Sequence, residues 1–282
     1  MSARLRELAQ RTEEIVATGE YVTGDGRTIH LADAVARARE GTGVYGPGPV
    51  AVPPAPVVAA PTVEVTGESS LDAARRMTGE RAERIAVLNF ASARNPGGGY
   101  LNGAQAQEEA VCRASALYTC LLEAPEFYDH HRADRDVFYT DRVIHSPGVP
   151  VFRDDRGRLL DEPFQVGFLT SPAPNAGVIA SRTPERVGRI PAALASRAER
   201  VLEVAALHGY RRLVLGAWGC GVFRNDPEQV ARAFADLLEG RFHGRFEQVV
   251  FAVLDRTKDA ATRSAFERVL TGPRQQAAQR QP

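Results

Sequence analysis

Twice in this chain a short apolar run ends in a glycine-rich loop that leads straight into a helical stretch. This repeated unit narrows the possible folds more than any other feature. Residues 84–91 (RIAVLNFA) read as a buried strand and are followed by Asn95-Pro96-Gly97-Gly98-Gly99. Seven residues intervene before Gln107-Glu108-Glu109, at the start of a helical run over 106–123. Three consecutive glycines let the backbone approach a ligand closely. A strand, a glycine loop and a helix start together make a place for a phosphorylated or sugar ligand. Two adjacent carboxylates beside it suit acid/base work on that ligand. Taken singly, a glycine triplet is an ordinary turn and a glutamate pair an ordinary dipole-matched first turn; their order and spacing carry the reading.

The second unit is Leu213-Val214-Leu215-Gly216-Ala217-Trp218-Gly219-Cys220-Gly221-Val222-Phe223-Arg224-Asn225-Asp226-Pro227. It reads as a buried strand, a glycine-studded loop and a helix over 227–238, with Asp226 as N-cap and Pro227 at the first helical position. Open α/β sheets bind ligands at the carboxyl ends of their strands. Backbone N–H groups of Gly219, Cys220, Gly221, Val222 and Phe223 are therefore placed to cradle a diphosphate at the mouth of that helix. The Lys-Ser/Thr ending of a nucleotide-hydrolysing P-loop is missing, so magnesium-dependent triphosphate hydrolysis fits poorly.

Around these units the pattern alternates. Residues 2–18 read as a helix, 20–32 as a hairpin around Gly24-Asp25-Gly26, and 31–39 as a short helix. Residues 46–61 are rich in Pro, Ala and Val and read as an extended connection. Then follow a strand over 62–66, a helix over 70–83, the strand 84–91, the helix 106–123 and a β-rich stretch over 136–170. A helical region over 184–208, interrupted at Pro191, precedes the strand 212–216, the helix 227–238, a strand over 248–254 and a helix over 259–270. This alternation predicts an α/β three-layer sandwich. It divides the chain into an accessory extension with its Pro-rich connection (1–61), a catalytic domain (62–270) and a polar, disordered tail (271–282).

The 282 residues can bury a full core. Charges balance, with 35 basic against 35 acidic residues, and Lys258 is the one lysine. Without basic runs there is no electrostatic footprint for nucleic acid, so a polyanionic substrate must be held by local dipoles and selected arginines. Cys112, Cys120 and Cys220 are odd in number and lack CxxC spacing, which argues against a disulfide framework and a zinc site. The first nineteen residues form an amphipathic, charged pattern without the apolar core of a signal peptide. No stretch reaches the length of a membrane span. The expectation is a cytoplasmic protein.

The order GGG…QEE followed by GAWGCGVF resembles the bacterial-type poly(ADP-ribose) glycohydrolases, whose catalytic unit is a macrodomain. The strand ending in Thr170-Ser171-Pro172-Ala173-Pro174-Asn175 matches the same family, and the resemblance covers 62–270. It implies a macrodomain-like α/β/α sandwich with a mixed central sheet and an N-terminal helical and hairpin extension. The activity implied is hydrolysis of ribose–ribose O-glycosidic bonds in poly(ADP-ribose), releasing ADP-ribose. By the family pattern Glu109 is the acid that protonates the leaving hydroxyl and later activates water, while Glu108 and Asn95 bind hydroxyls of the ribose being cleaved. Gly97, Gly98, Gly99 and Gln107 belong to the same ligand contact. So do Gly219, Cys220, Gly221, Val222 and Asn225, with Phe223 packed on a sugar or base. Residues 170–175 become a wall of the adenosine pocket. No cofactor or metal is implied. The partners implied are poly(ADP-ribose), ADP-ribose and ADP-ribosylated proteins, met by a monomer. In this family the segment ahead of the core helps cover the outer end of the ribose pocket, which implies exo-cleavage from the polymer terminus.

Two further readings stand beside this one: an ADP-ribose-binding macrodomain without hydrolysis, which would lack the acidic pair, and a mono-ADP-ribosyl hydrolase. A phosphatase lacks a metal set here. Cys220 as nucleophile lacks a histidine in its motif, and His145 reads as a core or edge residue of a strand. Gly98→Val and Gly221→Val are both expected to abolish ligand binding without unfolding the sheet.

Overall fold

The computed structural model describes residues 2–54, 61–80 and 84–271. Helix α1 (Ala3–Thr18) ends at Gly19, whose φ of 73° makes the left-handed cap. Strands β1 (Glu20–Val22) and β2 (Thr28–His30) form the expected hairpin, and helix α2 (Ala32–Glu40) follows. Next come β3 (Gly43–Tyr45), β4 (Thr62–Thr66), α3 (Ser70–Glu80) and β5 (Ile85–Phe90). Helices α4 (Gln107–Ala114), α5 (Leu117–Leu121) and α6 (Pro125–Ala133) lead to the long strands β6 (Val143–Arg153) and β7 (Leu159–Ser171). The remainder alternates as α7 (Ala176–Arg182), α8 (Ile190–Leu207), β8 (Arg212–Gly216), α9 (Pro227–Glu239), β9 (Gln248–Ala252) and α10 (Ala261–Leu270).

Seven strands form one mixed sheet in the order β3-β6-β7-β5-β8-β9-β4. The pairs β3/β6 and β6/β7 are antiparallel; the pairs from β7 through β5, β8 and β9 to β4 are parallel. Successive side chains of a strand face opposite ways, and the two cores divide accordingly. Ala86, Leu88, Leu213, Leu215, Val249 and Phe251 pack with α8, α9 and α10 on one face. Ile85, Val87, Val214 and Val250 pack with α3, α4, α5 and α6 on the other. A parallel strand buried on both faces reads as a continuous apolar run, which is why β5 and β8 stand out in the sequence. The expected three layers and mixed sheet are present.

Several boundaries differ from the sequence reading. The run over 106–123 is broken at Ser115, which bridges Val151 of β6, while its hydroxyl donates to Val111 O at 2.7 Å and accepts from Leu117 N at 3.2 Å. A serine that satisfies its neighbours' backbone in this way offers the chain an alternative to helix. Helices α6 and α7 lie in stretches with no predicted helix. Pro191 does not interrupt a helix; it sits in the first turn of α8, after a 3₁₀ turn over Pro184–Arg189. Residues 43–45, placed by the sequence reading in the accessory extension, hydrogen-bond into the edge of the main sheet. Ala9, Tyr21, Leu31, Val35 and Ala38 share a core with Ile85, Val87 and Phe152. The end of the predicted helix at 81–83, most of the Pro-rich connection (55–60) and the predicted disordered tail beyond Thr271 lie outside the described residues. No helix among the described residues is long and apolar enough to cross a membrane.

Three imidazoles are held neutral within the layers. Burial pushes His145 down to about 3 and His131 down to about 4, and lowers His208 as well. His145 stacks on His208 at 3.6 Å and meets the Tyr210 hydroxyl at 2.9 Å. An ordinary histidine titrates at about 6.5. As pH falls below that value the unfolded chain takes up protons that the folded chain refuses, so stability is lost on acidification down to the folded values. Each such group contributes a slope of up to about 1.4 kcal/mol per pH unit. The unfolding free energy is expected to fall steadily from pH 6.5 to 4, and His131→Gln to flatten that slope. Denaturant titrations at stepped pH check this, and a parallel slope in the variant contradicts it.

Candidate active site

Strand β5 and helix α4 are joined by one side chain. Gln107 Oε1 accepts from Phe90 N at 2.9 Å, and its Nε2 donates to Leu88 O at 2.9 Å and Ser70 Oγ at 3.1 Å. The amide thus continues the hydrogen-bonding edge of β5 and fixes the first turn of α4 against it. Read from the sequence as a ligand contact, Gln107 spends both ends of its amide on the protein. Glu108 and Glu109 follow it in the first turn of α4, and both are buried.

Glu108 is 3% exposed, and both of its oxygens are held: Oε1 by Asn89 Nδ2 at 3.2 Å and Oε2 by Ser92 N at 2.7 Å. Burial pushes its carboxyl up to about 8; the Ser92 N–H and the Asn89 amide pull it down, and the neighbouring Glu109 charge adds to the rise. Glu109 is held by one oxygen only. Its Oε1 accepts from Gly99 N at 2.8 Å, while Oε2 is enclosed and has no hydrogen-bond partner. The glycines serve this contact directly. Gly97 and Gly98 have φ of 65° and 58°, and a Cβ on Gly98 would stand 2.5 Å from Glu109 Oε1 and 3.0 Å from Glu108 Oε2. At Gly98 the close approach is made to the carboxylates themselves, while Gly97 faces Tyr118 and Cys112 and Gly99 faces Ala104. Asn95 is exposed at the outer edge of this loop.

The second loop is braced from behind. Trp218, fully buried, donates Nε1 to Ser171 O at 2.9 Å. Asn225, 2% exposed, donates Nδ2 to Pro174 O at 2.8 Å and to Gly219 O at 3.2 Å, so it supports the loop rather than presenting its amide outward. The Ser171 and Pro174 carbonyls are thereby occupied, and Asn175 caps α7 through Val178 N at 3.2 Å. With the rear of the loop tied, the N–H groups of Gly219, Gly221, Val222 and Phe223 have no hydrogen-bond partner among the described residues. They lie just ahead of α9, which Asp226 caps through Gln229 N at 2.9 Å. Val222 is 79% exposed, and Phe223 is half-buried with its ring 6.0 Å from that of Tyr139.

One expectation changes. Gly219 is the constrained position of this loop, with φ 69° and a hypothetical Cβ 2.5 Å from both Ala173 Cβ and Asn225 Nδ2. Gly221 has open space where a Cβ would stand and no left-handed φ, so a strain argument does not apply to it. Burial pushes the Cys220 thiol up to about 12, which removes its nucleophilic form at neutral pH. His145 joins His208 and Tyr210 and makes no contact with the carboxylate pair. Asn89, Ser92 and Tyr139 were not singled out in the sequence. Trp218, the one tryptophan of the chain, carried a usable signal, since a large ring inside a glycine loop must be buried against something.

An acidic pair thus stands at one strand end and unpaired amides at the next. The family profile described as "Microbial-type PARG, catalytic domain" matches residues 9–154. Poly(ADP-ribose) glycohydrolase (PARG) from Thermomonospora curvata superposes with a TM-score of 0.89 at 50% identity, covering 95% of this chain and 100% of that one. The same enzyme bound to the inhibitor ADP-HPD gives a TM-score of 0.86 at 50% identity, over 95% of this chain and 99% of that one. The glycohydrolase from Deinococcus radiodurans in complex with ADP-ribose gives 0.79 at 46% identity, over 86% of this chain and 99% of that one. No curated protein matches the chain. The chain belongs to the microbial-type poly(ADP-ribose) glycohydrolase family.

The glycine geometry yields a stability test. Gly98→Ala and Gly219→Ala are each expected to destabilise the fold by about 1–2 kcal/mol from backbone strain alone, with the close contacts adding to it. Gly221→Ala should stay within about 0.5 kcal/mol of the parent. Chemical denaturation of the three variants measures this, and equal losses at Gly221 and Gly219 would contradict it.

Proposed function

We propose that this chain hydrolyses the ribose–ribose O-glycosidic bonds of poly(ADP-ribose) and releases ADP-ribose, with Glu109 as general acid and then general base. The observation that carries the assignment is the inequality of the two carboxylates. Glycoside cleavage passes through an oxocarbenium-like transition state and needs a proton delivered to the leaving oxygen. Glu109, fixed through Oε1, has an uncommitted oxygen with which to deliver it. Glu108 is anchored at both oxygens, yet each retains a second lone pair that can accept from a ribose hydroxyl. Once the leaving group has departed, the Glu109 carboxylate takes a proton from water as it attacks the cation. Asn95 belongs with Glu108 in holding the ribose.

The free amides of Gly219, Gly221, Val222 and Phe223 ahead of α9 suit a diphosphate, because unpaired N–H groups and a helix N-terminus both favour an anion. That agrees with relatives crystallised with ADP-ribose and with ADP-HPD. The Phe223 ring then packs on a sugar or base of the ligand. Residues 62–270 supply this chemistry, acting as a monomer on polymer chains carried by ADP-ribosylated proteins in the cytoplasm.

The segment ahead of the core acts as a cover through helix α1. Helix α1 sits on the turn that continues the glycine triplet: Ser2 N donates to Gly103 O at 3.3 Å, and Tyr100 Oη lies 3.2 Å from Ala9 O and 2.8 Å from Glu13 Oε1. A covered outer end admits only the terminal ADP-ribose unit. ADP-ribose should accordingly be the dominant product from the earliest time points, and chromatography showing abundant protein-free oligomers early on would mean internal cutting.

Glu109→Gln is expected to keep the fold and the affinity for ADP-ribose while hydrolysis drops by about 10²–10⁴-fold. An amide cannot donate the required proton. Glu108→Gln should weaken binding as well as turnover. Calorimetry with ADP-ribose alongside a polymer-release assay separates the two, and near-normal turnover by Glu109→Gln would overturn the assignment.

A further inference from the structure

Among the described residues, three that are not glycine adopt a left-handed backbone: Tyr139 at φ 58°, Arg224 at 57° and Ala260 at 45°. Two of them frame Phe223. Arg224 follows it in the chain, and the Tyr139 ring faces it at 6.0 Å with an interplanar angle of 40°. A tyrosine in this conformation is strained, and such strain persists only where the surroundings over-determine it.

The surroundings of Tyr139 do so from both sides. On the side of Phe138, the fully buried Arg197 guanidinium donates Nη2 to Phe138 O at 2.8 Å and Nη1 to Pro172 O at 2.7 Å, while Asp141 holds its Nε at 3.1 Å. The Arg186 guanidinium lies over the Phe138 ring at 4.6 Å. On the other side, His131 Nε2 lies 3.3 Å from Thr140 N and 2.8 Å from Thr140 Oγ1, and its Nδ1 donates to Phe127 O at 2.8 Å. Tyr139 N itself donates to Asp136 O at 3.3 Å. The His131 carbonyl also accepts from Arg94 Nε at 3.1 Å, and the Arg94 guanidinium lies 5.7 Å above the Tyr139 ring. Arg94 immediately precedes Asn95 in the first glycine loop.

We infer that Tyr139 is a positioning residue for the proposed reaction. Clamped in a left-handed conformation by Arg197 and His131, it forms with Arg94 and Phe223 a wall that joins the two glycine loops and holds the Phe223 ring against the ligand. The inference rests on Phe223 packing on the ligand, as proposed above. Packing needs alone would not choose a tyrosine here, since glycine or asparagine relieves the backbone strain; a ring held at the cost of strain implies that its placement matters.

A double-mutant cycle tests this, read both in polymer hydrolysis (kcat/KM) and in ADP-ribose affinity. Tyr139→Phe, which keeps the ring, is expected within twofold of the parent. Tyr139→Gly should lower kcat/KM about 10- to 100-fold with the folded circular-dichroism signal retained, and Tyr139→Asn serves the same arm should the glycine variant melt. In a Phe223→Ala background the Tyr139 substitution should add less than twofold, because interactions acting through a shared partner are not additive. Near-normal activity of Tyr139→Gly, or an equal loss with and without Phe223, would overturn the inference while leaving the role of Phe223 intact. A neutral Phe223→Ala would instead overturn the reading of Phe223, and the inference with it.

Discussion

The hydrogen bond from Gly99 N to Glu109 Oε1, at 2.8 Å, is the contact on which the arrangement of the site depends. For that N–H to reach the carboxylate, the chain must turn left-handed at Gly97 and Gly98 and pass Glu109 Oε1 with no room for a side chain. The same turn places Tyr100 under α1, where its hydroxyl meets Ala9 and Glu13. The carboxylate in turn can stand there only because Gln107 pins the start of α4 to β5. Loop, helix start and N-terminal helix are therefore mutually conditional. A change at any of the three reaches Glu109.

The two glycine loops solve different problems. The first turns its glycines and N–H groups inward, toward the acidic pair. The second is tied from behind by Trp218 and Asn225 and leaves N–H groups free toward the mouth of α9. One loop thus fixes the acidic pair, and the other leaves its donors open. Tyr139 and Arg94 lie between them and add a tilted ring contact and a cation–ring contact to the backbone pairing of β5 with β8.

What could be read from the sequence was what is local. The strand–loop–helix units, the hairpin around Gly24-Asp25-Gly26 and the Asp226-Pro227 helix start are each set within a dozen residues by periodicity, turn chemistry or capping. Features that depend on distant partners were not legible. Ser115 breaks the predicted helix because Val151 pairs with it, and nothing near Ser115 announces that strand. Residues 43–45 are too short to stand out, and become a strand because β6 offers them an edge. Gly219 and Gly221 look alike in the sequence; only the presence of Ala173 and Asn225 makes the first obligatory and leaves the second open. Gln107 stood in the expected place, but its brace role follows from tertiary geometry.

The site also runs against the stability of the fold. A buried polar atom without a partner costs about 1–3 kcal/mol, and Glu109 Oε2 is such an atom. Glu108 adds a second strain of this kind. Burial holds its carboxyl up to about 8 against an ordinary value of 4.5, so the folded state loses stability relative to the unfolded chain as pH rises through that window. The left-handed turns at Tyr139 and Arg224 are of the same nature. These costs gather around the two loops, while the sheet behind them keeps β5 and β8 packed on both faces. The apolar layers supply the stability that lets one carboxylate oxygen remain uncommitted, and that oxygen is what a proton donor in glycoside cleavage requires.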